Sequence, residues 1–119
     1  MSIRVKCSVK DMQRSYIPNV YIAEMDCGDV RIKMDIHEEV RTFDPGDDVA
    51  VVISKEVPSY KEGVDYVATG YVVTFRDLEN SRRKMIVSLW GFVVVMEAPS
   101  ELFTEFSPMD KVYMKISKE

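Results

Sequence analysis

The chain has 119 residues, of which 46% are hydrophobic and 30% charged, with a net charge of −4 and a pI near 5.1. That length fits one domain over residues 1–119, able to bury roughly two-thirds of its unfolded surface without a disulfide or metal, and the composition excludes a disordered chain. The acidic balance opposes a phosphate-binding protein, because a nucleic-acid backbone is held mainly by Lys and Arg. With no basic leader and no apolar run of ~18 residues, a cytoplasmic protein that spans no membrane is expected.

Val, Ile, Tyr and Phe outweigh Leu and Ala, and such side chains pack well on a pleated surface. From Ile3 to Met12 the chain alternates, with Ile3, Val5, Cys7 and Val9 on one side and Arg4, Lys6, Ser8 and Lys10 on the other. Period two with polar outward positions is a half-buried strand. Ile17-Pro18-Asn19 punctuates the chain, and Val20 to Met25 reads as a second strand. Asp26-Cys27-Gly28-Asp29 then makes a tight connection to Val30–His37, which alternates again, so the two runs predict a hairpin. His37 falls on the polar side and is expected in solvent. Cys7 and Cys27 have no CxxC spacing and form no familiar zinc pattern with the single histidine, so both are expected as reduced, strand-packed thiols. The eight methionines read as gap-fillers of an irregular core.

Residues 38–48 carry Glu38, Glu39, Asp44, Asp47 and Asp48 against Arg41. A paired-carboxylate site needs a rigid, partly desolvated frame, so a mobile, solvated loop is the expectation here. Within it, Asp44-Pro45-Gly46-Asp47 predicts a type II turn. Val49–Ile53 is a continuous apolar run, as for a strand covered on both faces, and Pro58 stops any continuation. Strand character resumes over Tyr66–Phe75, where Gly70 marks a bulge or a close backbone approach. Arg76–Lys84 reads as a charged hairpin tip. Met85–Leu89 and Phe92–Glu97 follow, interrupted at Trp90-Gly91, where glycine lets a long strand bend. Pro99–Phe106 predicts one short helical turn with Leu102, Phe103 and Phe106 inward, and Lys111–Ser117 closes the domain. About eight short strands with at most one helical turn predict an all-β antiparallel barrel, which the glycines at 70 and 91 favour over a sandwich.

No glycine-rich phosphate loop and no GxSxG elbow occurs, and nothing marks a Ser or Cys as an activated nucleophile. The chain is therefore expected to hold no catalytic, cofactor-binding or metal-binding residues and to work by docking on larger partners.

Five blocks give that expectation a direction. They are Val52-Ile53-Ser54-Lys55, Pro58-Ser59-Tyr60, Gly70-Tyr71-Val72-Val73-Thr74, Val87-Ser88-Leu89-Trp90-Gly91-Phe92-Val93-Val94 and Met109-Asp110-Lys111-Val112-Tyr113. In this order and spacing they resemble the subunit 8 family of archaeal DNA-directed RNA polymerase, counterpart of a small subunit shared by the eukaryotic nuclear enzymes. The resemblance is carried by residues 49–117; the first 48 match in strand pattern and length alone. It implies a β-barrel containing an OB-fold, bound to the largest polymerase subunit and through it to the whole enzyme. It also implies no catalytic residue, cofactor, membrane or small-molecule substrate.

A docked module presents rigid aromatic side chains, which bury much area at low entropic cost. The candidate partner interface is therefore Pro58, Ser59, Tyr60, Tyr66, Gly70, Tyr71, Trp90, Gly91 and Phe92, with barrel core as the alternative for each aromatic. The runner-up is a free-standing OB-type module that stacks single-stranded nucleic acid. It has the aromatics, but its only basic triplet is Arg82, Arg83 and Lys84 on a hairpin tip, so direct nucleic-acid contact is expected to be weak. A third reading, a small enzyme holding a divalent cation on Asp44, Asp47 and Asp48, has the spacing of no standard calcium loop.

Overall fold

Alternating apolar and polar residues close on themselves as a barrel. The computed structural model describes residues 2–119. Its strands are β1 (Ser2–Arg14), β2 (Val20–Cys27), β3 (Val30–His37), β4 (Asp48–Ser54), β5 (Tyr66–Asp77), β6 (Arg82–Leu89), β7 (Phe92–Pro99) and β8 (Lys111–Lys118). Short 3-10 turns lie at Glu38–Val40 and Ser100–Phe103. The strand order is β1-β2-β3-β7-β6-β5-β8-β4, and β4 returns to β1. Every neighbouring pair is antiparallel, as the sequence pattern requires. Among the described residues no helix is long and apolar enough to cross a membrane.

The inward rows fill the barrel. Met25, Met34, Met85, Met96 and Met114 are all buried there among Val, Ile and Leu, in the gap-filling role their flexible thioethers suit. Phe103 and Phe106 pack inward from the turn after β7, as expected, with Leu102 partly buried beside them. On β4, Val49, Val51 and Ile53 face the core while Val52 is buried on the other side, so that strand is covered on both faces. Val52 pairs with Lys115 of β8, whose Nζ donates to the Ser59 carbonyl (2.8 Å) and draws the 55–65 segment against the outer wall.

Several turns form where expected. Cys27 pairs with Val30 across a two-residue connection in which Gly28 has φ 74°. Gly46 has φ 92° and the Asp47 N–H donates to the Asp44 carbonyl (3.1 Å), closing the type II turn.

Other expectations are corrected. The acidic segment is not a mobile loop: Phe43 is buried in the core and Arg41 ion-pairs with Asp44, tying it down on both sides. Trp90-Gly91 does not bend one long strand. Leu89 pairs with Phe92, and Trp90 (φ 56°) and Gly91 (φ 92°) are both left-handed, which is a type I′ hairpin reversing the chain. Of the two readings of Gly70 the close backbone approach holds, while the register shift of β5 falls between Val72 and Thr74. Arg82, Arg83 and Lys84 do not sit on a tip, because β5 and β6 extend to Asp77 and Arg82. His37 is half-buried, with its Nδ1 accepting the Glu39 N–H (3.1 Å) and its ring edge-on to Phe92 at 6.4 Å.

The largest correction concerns the cysteines, which form a disulfide between β1 and β2 with Cα atoms 4.1 Å apart. β1 carries a bulge between Val9 and Asp11. On its far side Met12 pairs with Ala23, a register that, continued unbroken, would set Cys7 opposite Gly28. The extra residue shifts the ladder to Ser8↔Asp26, and the next step sets Cys7 opposite Cys27. The same bulge ends the clean alternation at Val9, since Met12 would otherwise face outward.

Candidate docking surface

The outer wall of β5, β6 and β7 carries an apolar field that nothing in the domain covers. One cross-strand row runs Tyr71–Ser88–Val93 and the next runs Thr74–Ile86–Val95, so their side chains share one face. Tyr71, Val73 and Val93 are exposed, while Ile86 and Val95 are half-buried by their neighbours. Phe92, at the start of β7, packs partly against the core and His37 and borders the field at its Trp90 end.

Trp90 stands at the tip of the adjoining β6–β7 hairpin with 83% of its surface exposed. The Gly91 N–H donates to Ser88 Oγ (3.2 Å), and Val93 N–H donates to Asp35 Oδ2 (3.3 Å), so the hairpin is tied to its own stem and to β3. The same end of the barrel carries the connection after β1 and the turn after β3, joined by the Glu38 N–H to the Asn19 carbonyl (2.8 Å). Tyr16, Ile17 and Val40 are exposed on those two connections. None of the three was singled out from the sequence; an aromatic and a β-branched residue beside a loop proline, where no strand could bury them, was the available signal. Val73 and Val93 lie in runs apolar at both parities, so no local signal marked them as outward.

The sequence candidates separate into surface and interior. Pro58, Ser59 and Tyr60 lie on the 55–65 segment, with Ser59 and Tyr60 exposed beside Val57 and Val64. Gly91 and Tyr71 are exposed with Trp90. Tyr66 and Gly70 are not surface residues: both point into the barrel, and Tyr66 is 6% exposed. Residues 66, 70 and 72 share the inward face of β5 and 71 the outward one, because side chains alternate along a strand.

Burial pushes the Tyr66 phenol up from 10.0 to about 12. The folded chain thus holds this proton more tightly than the unfolded chain does. The corresponding stability is complete below pH 10 and is lost as pH rises towards 12, by roughly 2–3 kcal/mol across that window. In urea unfolding followed from pH 9 upward, Tyr66→Phe should lack this alkaline loss. Parallel decline of both proteins would mean that another group is responsible.

Arg82 and Arg83 of the basic triplet are consumed locally. Arg82 donates to the Asp29 carbonyl (2.7 Å) and lies 3.6 Å from a Glu97 oxygen. Arg83 pairs with Asp77 (2.9 Å) and covers the Phe75 ring at 4.5 Å. Lys84 faces Glu97 across the β6–β7 pair, in a groove whose other charges are Lys10, Arg31 and Lys33 against Glu24 and Asp26. Such a mixed field offers a phosphate chain little net attraction.

The acidic side chains likewise have structural employment. Asp47 accepts the Asp44 N–H (2.8 Å), which holds its carboxyl below the usual range, and Lys118 lies 3.5 Å away. Asp48 accepts from Ser8 Oγ (3.1 Å). Asp44 is held by Arg41. Three carboxylates aimed at three separate partners do not converge on a shared cation.

Comparison with known proteins extends the likeness over the whole barrel. The RpbG family, that of the G subunit of DNA-directed RNA polymerase, matches residues 2–119, including residues 2–48, where strand pattern and length alone had carried the resemblance. DNA-directed RNA polymerase subunit Rpo8 of Sulfolobus acidocaldarius is 31% identical over 116 residues, covering 95% of this chain and 95% of that protein. The protein of the same name from Saccharolobus solfataricus is 30% identical over 123 residues, covering 98% of this chain and 92% of its own length.

Proposed function

Because the chain belongs to the RpbG family of DNA-directed RNA polymerase subunits, we propose that it is a non-catalytic polymerase subunit that docks on the largest chain and supports assembly and stability of the enzyme. The docking face is the β5–β6–β7 outer wall with Trp90 as its anchor. Tyr71, Val73, Phe92 and Val93 complete the contact, and nucleotidyl transfer belongs to the large subunits. The complex works in the cytoplasm.

The observation that carries the choice of face is Trp90 itself. Its indole is 83% exposed and its backbone is left-handed, so neither packing nor conformation favours tryptophan there. Asn would occupy the first position of a type I′ turn with less strain. A large aromatic held in an unfavourable backbone state, on a tip tied to the barrel by Ser88 and Asp35, suits a partner pocket. Anchors of this kind dominate the binding energy of interfaces.

Trp90→Asn therefore separates folding from docking. In reconstitution with polymerase lacking this subunit, the variant should bind at least about tenfold more weakly. The thermal midpoint of its free chain should stay level or rise. Unchanged affinity would place the contact elsewhere on the molecule. Failure of the tagged wild-type chain to co-purify with the large polymerase subunits would remove the functional reading itself.

A further inference from the structure

β1 is paired on both edges over only part of its length. From Ser2 to Ser8 it pairs with β4, whereas its ladder to β2 begins at Ser8↔Asp26 and continues to Arg14. Along Ser2–Lys6 the edge away from β4 has no partner strand among the described residues, and no other backbone hydrogen bond reaches it. The Cys7–Cys27 bridge lies at the fork and fixes the point where β2 departs. A free strand edge is a row of unused donors and acceptors, ready to accept one more strand.

The side chains select what can pair there. Arg4 and Lys6 point outward, are exposed and take part in no ion pair among the described residues. On the same outer row, beyond Val52, lies Lys115. Past Ser8 the neighbouring strands set Asp26 and Asp48 beside Lys10, whereas Arg4 and Lys6 have no acidic cross-strand partner. Facing inward, Ile3 and Cys7 are buried while Val5 between them stays half-exposed, leaving an apolar position open at the rim. A second copy pairing antiparallel here would set Arg4 and Lys6 against their own kind, which destabilises a cross-strand pair.

We propose that the Ser2–Lys6 edge of β1 binds an extended segment of a partner protein in which acidic residues alternate with apolar ones. Strand pairing supplies the backbone contacts, the acids face Arg4 and Lys6, and an apolar side chain reaches Val5. This edge is separate from the Trp90 wall, and the proposal does not depend on docking there.

The test uses the full chain and a short blocked peptide of alternating Glu and Val, followed by amide exchange. Binding should slow exchange within Ser2–Lys6 and leave the Trp90 hairpin unaltered. Arg4→Glu with Lys6→Glu should weaken that peptide about tenfold and favour a Lys/Val peptide instead. Arg4→Ser with Lys6→Ser replaces this variant if charge reversal lowers the thermal midpoint, and should still bind the Glu/Val peptide more weakly. Equal affinity of the wild-type chain for Glu/Val and Lys/Val peptides would overturn the proposal. So would undiminished binding of a peptide whose valines are replaced by proline, which cannot pair as a strand. Displacement of the Glu/Val peptide by oligothymidylate at low salt would assign the edge to nucleic acid instead.

Discussion

Gly70→Ala is expected to destabilise the barrel by at least about 3 kcal/mol, more than alanine at any other glycine of this chain. A Cβ at this position would lie 1.8 Å from the Ser88 carbonyl oxygen, 2.7 Å from its carbon and 2.9 Å from Leu89 Cα. All three are backbone atoms, so no side chain can rotate away. β6 crosses β5 here immediately before the Trp90 hairpin, and Ser88 is also the residue whose hydroxyl holds Gly91. Gly70→Ala should therefore lower both the urea midpoint and the affinity for the polymerase. Gly91→Ala is the control: its Cβ would meet nothing within 4 Å, although φ 92° makes alanine strained there. That strain costs about 1 kcal/mol. Equal losses from the two substitutions would show that backbone crowding at Ser88 is not what excludes a side chain at Gly70.

Opening the Cys7–Cys27 bridge is the second large effect. The two cysteines are separated by 20 residues, and closing a loop of that size in the unfolded chain is worth about 3 kcal/mol. Cys7→Ala with Cys27→Ala, or incubation with a thiol reductant, should lower stability by that amount. The double variant should then be indifferent to reductant. Equal urea midpoints for the wild-type chain with and without reductant would mean that the bridge contributes nothing to stability. The effect also reaches the β1 edge, because the bridge is the last cross-link before β1 and β2 separate. Its loss should speed amide exchange around the Ser8↔Asp26 pair before it does so at β6.

How far the sequence could be read depended on how local each feature is. Alternation from Ile3 to Val9 and from Val30 to Ile36 assigned inward faces correctly, because a side chain's own parity decides the matter once one face is apolar. Asp44-Pro45-Gly46-Asp47 specified its turn through the fixed φ of Pro45 and the positive φ open to Gly46. The resemblance block around Trp90 held the exposed tryptophan, yet its hairpin was read as a bend. Trp-Gly lacks the Asn-Gly or Asp-Gly signature, and an apolar run on each side looks alike whether the chain continues or reverses.

The tyrosines of β5 show the same boundary. Tyr66 and Tyr71 lie in one strand with apolar residues at both parities, so nothing local says which ring enters the barrel. Pairing with β8 and β6 decides it: Tyr66 is set opposite Ile116 on the inner face and Tyr71 opposite Ser88 on the outer one.

By itself, the sequence determined an all-β chain, its strand count and most of its faces, since each depends on a residue's own backbone preference or its immediate neighbours. Only the tertiary structure decided the cysteine bridge, the reversal at Trp90 and the exposed wall. Each of these depends on register between segments distant in the chain, and a single extra residue in β1 is enough to change which side chains meet.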